Sequence, residues 1–279
     1  MNLVVGATGQ LGTEICRLLA VSGFPTRGLV RTTSDPAKVE VLAGLNVELV
    51  LGDLKDRASL ERACSGAASV ISTASATVSR RDGDSLQSVD LEGQLALIDA
   101  AQQAAVEHFI LISFPEMKVE FPLQTAKRRV EDHLKNSGLR YTILQPTFFM
   151  EVWLGPHLGI NPAAASAQIY GEGREKVSWI SYKDVAKFAV TVLKNPAASN
   201  AMIKLGGPDA LSPLDVVRIF EDISGKRFDV NIVPEAALET QKAAATDPIQ
   251  ESFAALMLSS AQGDIIEMDE TLQQFPVEL

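Results

Sequence analysis

The sequence predicts a doubly wound α/β fold, a parallel sheet with helices on both faces, followed by a smaller C-terminal α+β lobe. Three observations predict it. Short β-rich runs alternate with helix-length periodic segments through the first half of the chain, the pattern of βαβ units. Runs such as Phe109-Ile110-Leu111-Ile112 are apolar without alternation, as strands covered on both faces are. After Pro146 the rhythm breaks into a Gly-, Pro- and aromatic-rich stretch, so the second half is built differently.

Asn2–Val5 reads as the first strand. Leu11, Ile15, Leu18 and Leu19 then recur at one-face helical spacing. Thr26–Val30, Val47–Leu51 and Ser69–Thr73 are the next strands. Leu91, Leu95 and Ile98 mark a long helix ending before His108. Phe109–Ser113 is the fifth strand. Ala126, Val130 and Leu134 mark the following helix, with Gly138 to end it in a left-handed conformation. Tyr141–Leu144 is the sixth strand, and the parallel connections must cross over right-handed.

Beyond Pro146, residues 148–173 read as a long loop and Val177–Ile180 as a short strand. Tyr182–Lys194 is a helix halted by Asn195-Pro196, and Met202–Leu205 a strand. Leu211–Ser224 is a helix, with Ser212 as N-cap, Pro213 at its first position and Gly225 past its end. Phe228–Val233 is a last strand, and the rest, to about Gln274, is helical or loose. The division expected is residues 1–147 for the sheet portion and 148–279 for a smaller substrate-binding lobe packed on the same sheet.

The chain has 279 residues, 35 acids against 25 Lys and Arg, and a formal charge of −10. That sign argues against nucleic acid, which demands a basic stripe. Apolar residues at 46% and charged residues at 22% exclude disorder. The charge is lopsided: from Ala243 to Leu279 there are seven acids and no Lys or Arg, which reads as a solvated acidic tail. Cys16 and Cys64 sit in helical apolar patterns and read as buried free thiols. His108, His133 and His157 lack metal-ligand spacing, so no metal is expected. The chain enters an apolar strand at Leu3 without a basic leader, and Val152–Gly171 is broken by Pro156 and Pro162. The expectation is a reduced, soluble, cytoplasmic protein with no membrane partner.

Gly6-Ala7-Thr8-Gly9-Gln10-Leu11-Gly12 links the first strand to the first helix. Glycines there permit a tight turn, a close backbone approach to a pyrophosphate, and close packing of helix on strand. The helix N-terminus then faces the anion. The turn predicts a Rossmann-type dinucleotide site. At the end of the second strand, where an acid would accept from a ribose 2′-OH, stands Arg31. A guanidinium cannot accept, but it holds a 2′-phosphate. Thr32, Thr33, Ser34 and Lys38 follow with further donors. The cofactor expected is NADP(H) rather than NAD(H).

The GxxGxxG spacing resembles the extended and atypical short-chain dehydrogenases. Val4–Gly12, followed by Leu29-Val30-Arg31, Gly52-Asp53-Leu54 and the stretch Leu144–Glu151, is similar more narrowly to the NmrA-like group. The resemblance implies that Asp53 and Leu54 lie beside the adenine. It implies that Thr73, Ala74 and Ser75 line the path to the nicotinamide, and that Pro146 and Phe148 belong to the cofactor site.

Most short-chain dehydrogenases use Tyr-x-x-x-Lys with an upstream Ser. The three tyrosines here, Tyr141, Tyr170 and Tyr182, are followed four positions on by Gln145, Arg174 and Ala186, so the motif is absent. By position, Lys127 matches the family lysine, Leu123 the tyrosine and Ser113 the serine. Lys127 and Ser113 are the catalytic candidates, with Lys127 also expected at the ribose. An unactivated ketone becomes an alkoxide on reduction and needs an acid that Leu123 cannot supply. A quinone or conjugated acceptor leaves a delocalised anion and needs less help. The NmrA-like quinone reductases and related phenylpropanoid reductases work without the tyrosine, so the resemblance favours that route. Ligands bind at the C-terminal ends of parallel strands, which places Phe114, Phe149, Met150 and Trp153 on the substrate side, an apolar wall for a flat aromatic or quinone.

Three functions fit these residues. The first is an NADPH-dependent oxidoreductase acting on a small quinone or conjugated carbonyl. The second is an NADP(H)-binding redox sensor of the NmrA type with a protein partner and no turnover. The third is an isomerase or epimerase that keeps its cofactor.

Overall fold

The computed structural model describes residues 1–78 and 81–279. In chain order its elements are β1 (Asn2–Val5), α1 (Gln10–Val21), β2 (Thr26–Val30), α2 (Pro36–Gly44), β3 (Glu48–Leu51), α3 (Arg57–Cys64) and β4 (Ser69–Ser72). A π-helical stretch, Leu86–Gly93, runs into α4 (Gln94–Gln103). Then come β5 (His108–Ile112), α5 (Pro122–Asn136), β6 (Arg140–Pro146), α6 (Met150–Trp153), β7 (Ile160–Asn161) and β8 (Ser166–Tyr170). The chain ends with α7 (Tyr182–Thr191), β9 (Ala201–Leu205), α8 (Pro213–Ser224), β10 (Asp229–Val233), α9 (Glu235–Ala243), α10 (Pro248–Ala261) and α11 (Asp269–Gln274).

The main sheet runs β3-β2-β1-β4-β5-β6-β9, with every pairing parallel. The strand order reverses between β1 and β4, which opens a crevice at their C-terminal ends. The central strands β1, β4 and β5 are buried along their whole length because both faces are covered, whereas the edge strands β3 and β9 are partly exposed. Val4, Ile71, Ile110 and Leu144 pack with Ile15 and Leu19 of α1 and Phe188 of α7. Leu3, Val5, Phe109 and Leu111 point the other way, onto Leu60 of α3, Leu97 of α4 and Val130 of α5. Helix ends follow their sequence signals: Asp35 and Asp56 cap α2 and α3, and Ser212 forms a capping box with Asp215. The seventh strand, β9, comes from beyond residue 147, and α7 packs beside α1.

Three expectations need correction. Residues 148–173 are not one loop: they hold α6, β7 and β8, and β8 pairs with β10 and β7 in a second sheet. Strands of two to five residues are too short to show a period. Val177–Ile180 is not a strand; it makes isolated bridges, Val177 to Leu211 and Asp264, and Ile180 to Phe149. The acidic C-terminal stretch is not a solvated tail. Its α10 packs on α5 and α9, Ala254, Ala255 and Leu258 are buried, and Met268 and Phe275 enter the main core. Glu267, Asp269, Glu270 and Glu278 are exposed, Asp247 and Glu251 are half-buried, and Asp264 turns one carboxylate oxygen inward, where burial raises its pKa. No helix among the described residues is long and apolar enough to cross a membrane.

Candidate functional site

The glycine turn closes directly on the end of β4. Gly6 has φ +85°, and a Cβ there would lie 2.5 Å from Thr73 Oγ1 and 2.9 Å from Ala74 N. A Cβ on Gly12 would overlap the Gly6 carbonyl, so the first turn of α1 sits against the strand end with no space for a side chain. The Gly9 N–H donates to Gly6 O and Thr13 Oγ1 donates to Ala7 O, which fixes the loop shape. The α1 N-cap, Gly9, has no side-chain cap, and the first turn carries no acid. The N–H groups of Gln10, Leu11 and Gly12 therefore remain for an anion. Thr8 is half-buried beside them, and Gly9 and Gln10 are exposed.

Thr73 donates from both N and Oγ1 to Val5 O. Ala74 O accepts from Gln94 Nε2, whose own Oε1 accepts from Ser72 Oγ. Ser75 Oγ lies 3.1 Å from Thr77 Oγ1. The π-helical stretch and α4 thus pin the end of β4 from behind.

Arg31, at the end of β2, is not free. Its Nη1 donates to Asp84 Oδ2 at 2.7 Å, and Lys55 Nζ donates to the other oxygen at 2.5 Å. Burial works against the Asp84 charge, but the hydrogen bonds from Lys55 and Arg31 outweigh it and hold the carboxyl down to about 2. Thr32 and Lys38 are exposed, Lys38 in the first turn of α2. Asp53 Oδ1 accepts from Lys55 N, whereas Leu54 is buried in the core against Gly93.

Lys127 lies on the buried face of α5, 6% exposed, although Arg129 beside it follows the solvated pattern that a basic run suggests. Its Nζ is 3.6 Å from Asp90 Oδ1, while Asp90 Oδ2 accepts from Ala76 N at 2.9 Å. Asp90 thereby links Lys127 to the segment that leaves β4. Ser113 is buried at the end of β5, and its hydroxyl accepts from Arg128 Nη2 at 3.2 Å rather than from Lys127. The same Arg128 nitrogen donates to Phe114 O and pairs with Glu131, which in turn accepts from Gln145. Leu123, at the tyrosine place, is 4% exposed and packs with Leu86, Phe121 and Ile249. Its N–H donates to Ser252 Oγ of α10, so the C-terminal segment caps α5.

The apolar wall is divided. Phe114 stacks on Phe121 in the α5–α10 cluster. Phe148, Met150 and Trp153 belong to the cluster of the second sheet, where Phe148 meets Trp153 edge-on at 4.7 Å and Trp179 at 6.0 Å. Met117 packs against both groups, and Phe149 against the main core. Pro146 is buried at the end of β6. A concavity of about 390 Å³ lies at the far edge of the sheet, on β9 and α11, lined by none of these residues.

Asp84, Lys55, Asp90 and Arg128 escaped the sequence reading. Asp90 had a detectable signal: with Gln94 it interrupts the apolar stripe of Leu86 and Leu97 at helical spacing. Lys55 and Asp84 had none, since their contact spans 29 positions that include α3 and β4.

Known proteins resemble this chain in sequence and in fold. The NAD(P)H azoreductase of Xenophilus azovorans is 33% identical over 228 residues, spanning 81% of this chain and 74% of that protein. The photosystem II assembly factor Ycf39 of Cyanophora paradoxa is 32% identical over 239 residues, 85% of this chain and 73% of its own. The solved NADPH-dependent quinone oxidoreductase QOR2 of Escherichia coli, complexed with NADPH, superposes with a TM-score of 0.77 at 22% identity. The match covers 100% of this chain and 96% of that one, a likeness of fold. The family model for NmrA-like proteins matches residues 2–279, glycine turn and second sheet alike, and the chain belongs to the NmrA-like family.

Proposed function

We propose that this chain is an NADPH-dependent oxidoreductase that passes a hydride to a quinone or another conjugated carbonyl acceptor, without a tyrosine acid. The observation that carries the reading is Lys127, buried against Asp90 beside the segment leaving β4, with Leu123 packed into apolar core where the tyrosine would stand. The residues fit the cofactor. Gly6 and Gly12 leave a turn that no side chain could occupy, and the bare α1 N-terminus suits a pyrophosphate. Arg31, with Lys38 nearby, suits a 2′-phosphate.

When bound, NADPH supplies the hydride. Lys127 would hold the ribose and present its positive charge to the acceptor oxygen, where it can stabilise an anion or hand over a proton. Ser113, held by Arg128, is the second polar group at the strand ends. Phe114, in the α5–α10 cluster, and Met150 and Trp153, in the cluster of the second sheet, would flank a flat aromatic acceptor from two sides. The likeness to an NAD(P)H azoreductase supports this reading.

The test is NADPH consumption with a panel of benzoquinones and naphthoquinones. Turnover that falls at least about tenfold in Lys127→Ala is the expected result. Unchanged turnover in that variant removes Lys127 from the chemistry.

A second reading, a nucleotide-binding regulator with no turnover, is favoured by the likeness to a photosystem II assembly factor. It predicts NADPH and NADP⁺ bound with different affinities and no consumption with any acceptor.

A further inference from the structure

Two cations from neighbouring strand ends converge on one buried carboxylate. Arg31 follows β2 and Lys55 follows β3, and they take one Asp84 oxygen each. The Asp84 side chain is 2% exposed, while Arg31 and Lys55 are 28% and 31% exposed. The carboxylate is therefore the floor of the cluster and the cations are its rim. The floor is fixed, since Asp84 Oδ2 also accepts from Arg81 N at 2.9 Å. So is the backbone of each cation. Arg31 N donates to Ser34 Oγ, and Lys55 N donates to Asp53 Oδ1, both at 2.9 Å.

Within this triad one carboxylate balances one of the two positive charges, while Asp53 lies on the backbone side of Lys55. The Arg31 guanidinium has five N–H donors and gives Asp84 one of them. A fork and a point charge side by side, held from below, suit a compact dianion with three terminal oxygens, a phosphate monoester. They stand at the ends of β2 and β3, on the side of the glycine turn away from Lys127, where the adenosine ribose of a dinucleotide would lie.

We infer that Lys55 and Arg31 together form the seat of the NADPH 2′-phosphate, and that Asp84 is the residue that positions both. The inference rests on the NADPH reading above. It makes Lys55 a specificity-determining residue and gives the carboxylate a use: without it, two like charges would splay apart.

Dissociation constants for NADPH and NADH, from nicotinamide fluorescence, test it in the wild type, Lys55→Ala, Lys55→Arg and Asp84→Asn. The wild type prefers NADPH. Lys55→Ala weakens NADPH by about tenfold and moves NADH less than about twofold, and Lys55→Arg restores most of the preference. Asp84→Asn lowers the NADPH preference several-fold, and a thermal melt shows whether that variant is folded. If it is not, the two Lys55 variants decide. A wild type that binds both cofactors equally overturns the NADPH reading itself. A wild type that prefers NADPH, with Lys55→Ala keeping that preference, overturns the Lys55 assignment and leaves the reading standing. Tighter NADPH binding by Asp84→Asn makes Asp84 a competitor for the cations and overturns its positioning role.

Discussion

Lys127 Nζ and Asp90 Oδ1 face each other at 3.6 Å inside the protein, and that oxygen has no hydrogen-bond partner among the described residues. The Asp90 side chain is wholly buried and that of Lys127 is 8% exposed. Removing one member of such a pair leaves the other as an uncompensated buried charge, at about 3–5 kcal/mol. Removing both replaces the pair by neutral groups and costs less. Urea unfolding of Asp90→Asn, Lys127→Met and the double variant should show a double loss well below the sum of the singles. Additive losses would mean that the two charges do not interact.

His108 should make stability depend on pH in a defined window. Its Nε2 is 2.8 Å from Thr142 Oγ1, and the threonine proton is committed to Ala198 O. Nε2 must therefore be the donor, which leaves Nδ1 bare, buried and unpartnered. Burial, helped by Arg140, pushes the imidazole down to about 4 from 6.5. Between those values the unfolded chain binds the proton and the folded chain does not. Stability is thus full above about pH 6.5 and declines as pH falls toward 4, by roughly 3 kcal/mol at most. Urea midpoints from pH 7.5 to 4.5 should fall more steeply in the wild type than in His108→Asn. Parallel curves would remove the histidine from the acid sensitivity.

The sheet was legible because burial on both faces writes itself as continuous apolar strands, and because glycines that cannot carry a Cβ mark the turn. The helix over Pro36–Gly44 was missed because it buries only Leu42 and so has no apolar stripe. The segment 148–173 was misread because its strands rely on β10, far along the chain, for pairing. In the candidate site, Gly12 and Arg31 could be named from local pattern and Lys127 from the family resemblance, but their partners could not. Asp84 meets Arg31 across 53 positions, and Ser113 is held by Arg128, 15 positions on and in another element. Position along a strand is a local property, whereas pairing of charges is set by how loops cross the strand ends.

Cys16 and Cys64 should be silent to thiol reagents in the native protein. Both are fully buried, and burial pushes each thiol up to about 12. Only the thiolate reacts, and at pH 8 almost none is present. Native protein treated with a chromogenic disulfide should release less than about a tenth of the signal that urea-unfolded protein gives within the same minutes. Rapid native labelling of either cysteine would show that α1 or α3 opens locally.

Two glycine substitutions should move stability in opposite directions. Gly12 lies in the first turn of α1 with its Cα hydrogen against the Gly6 carbonyl, and both atoms belong to backbone. Neither can yield as a side chain would, so Gly12→Ala must shift α1 away from β1. The overpacking costs about 1–3 kcal/mol. It also moves the N–H groups of the helix start, so NADPH binding should weaken along with the fold. Gly44 closes α2 with nothing within 4 Å of its Cβ position. Alanine there fills open space and restricts only the unfolded chain, for a gain of about 0.5–1 kcal/mol. Thermal melts of the two variants should therefore straddle the wild type. A Gly12→Ala protein as stable as wild type would show that the turn has slack, and with it that the close approach of α1 to β1 is not what the third glycine is for.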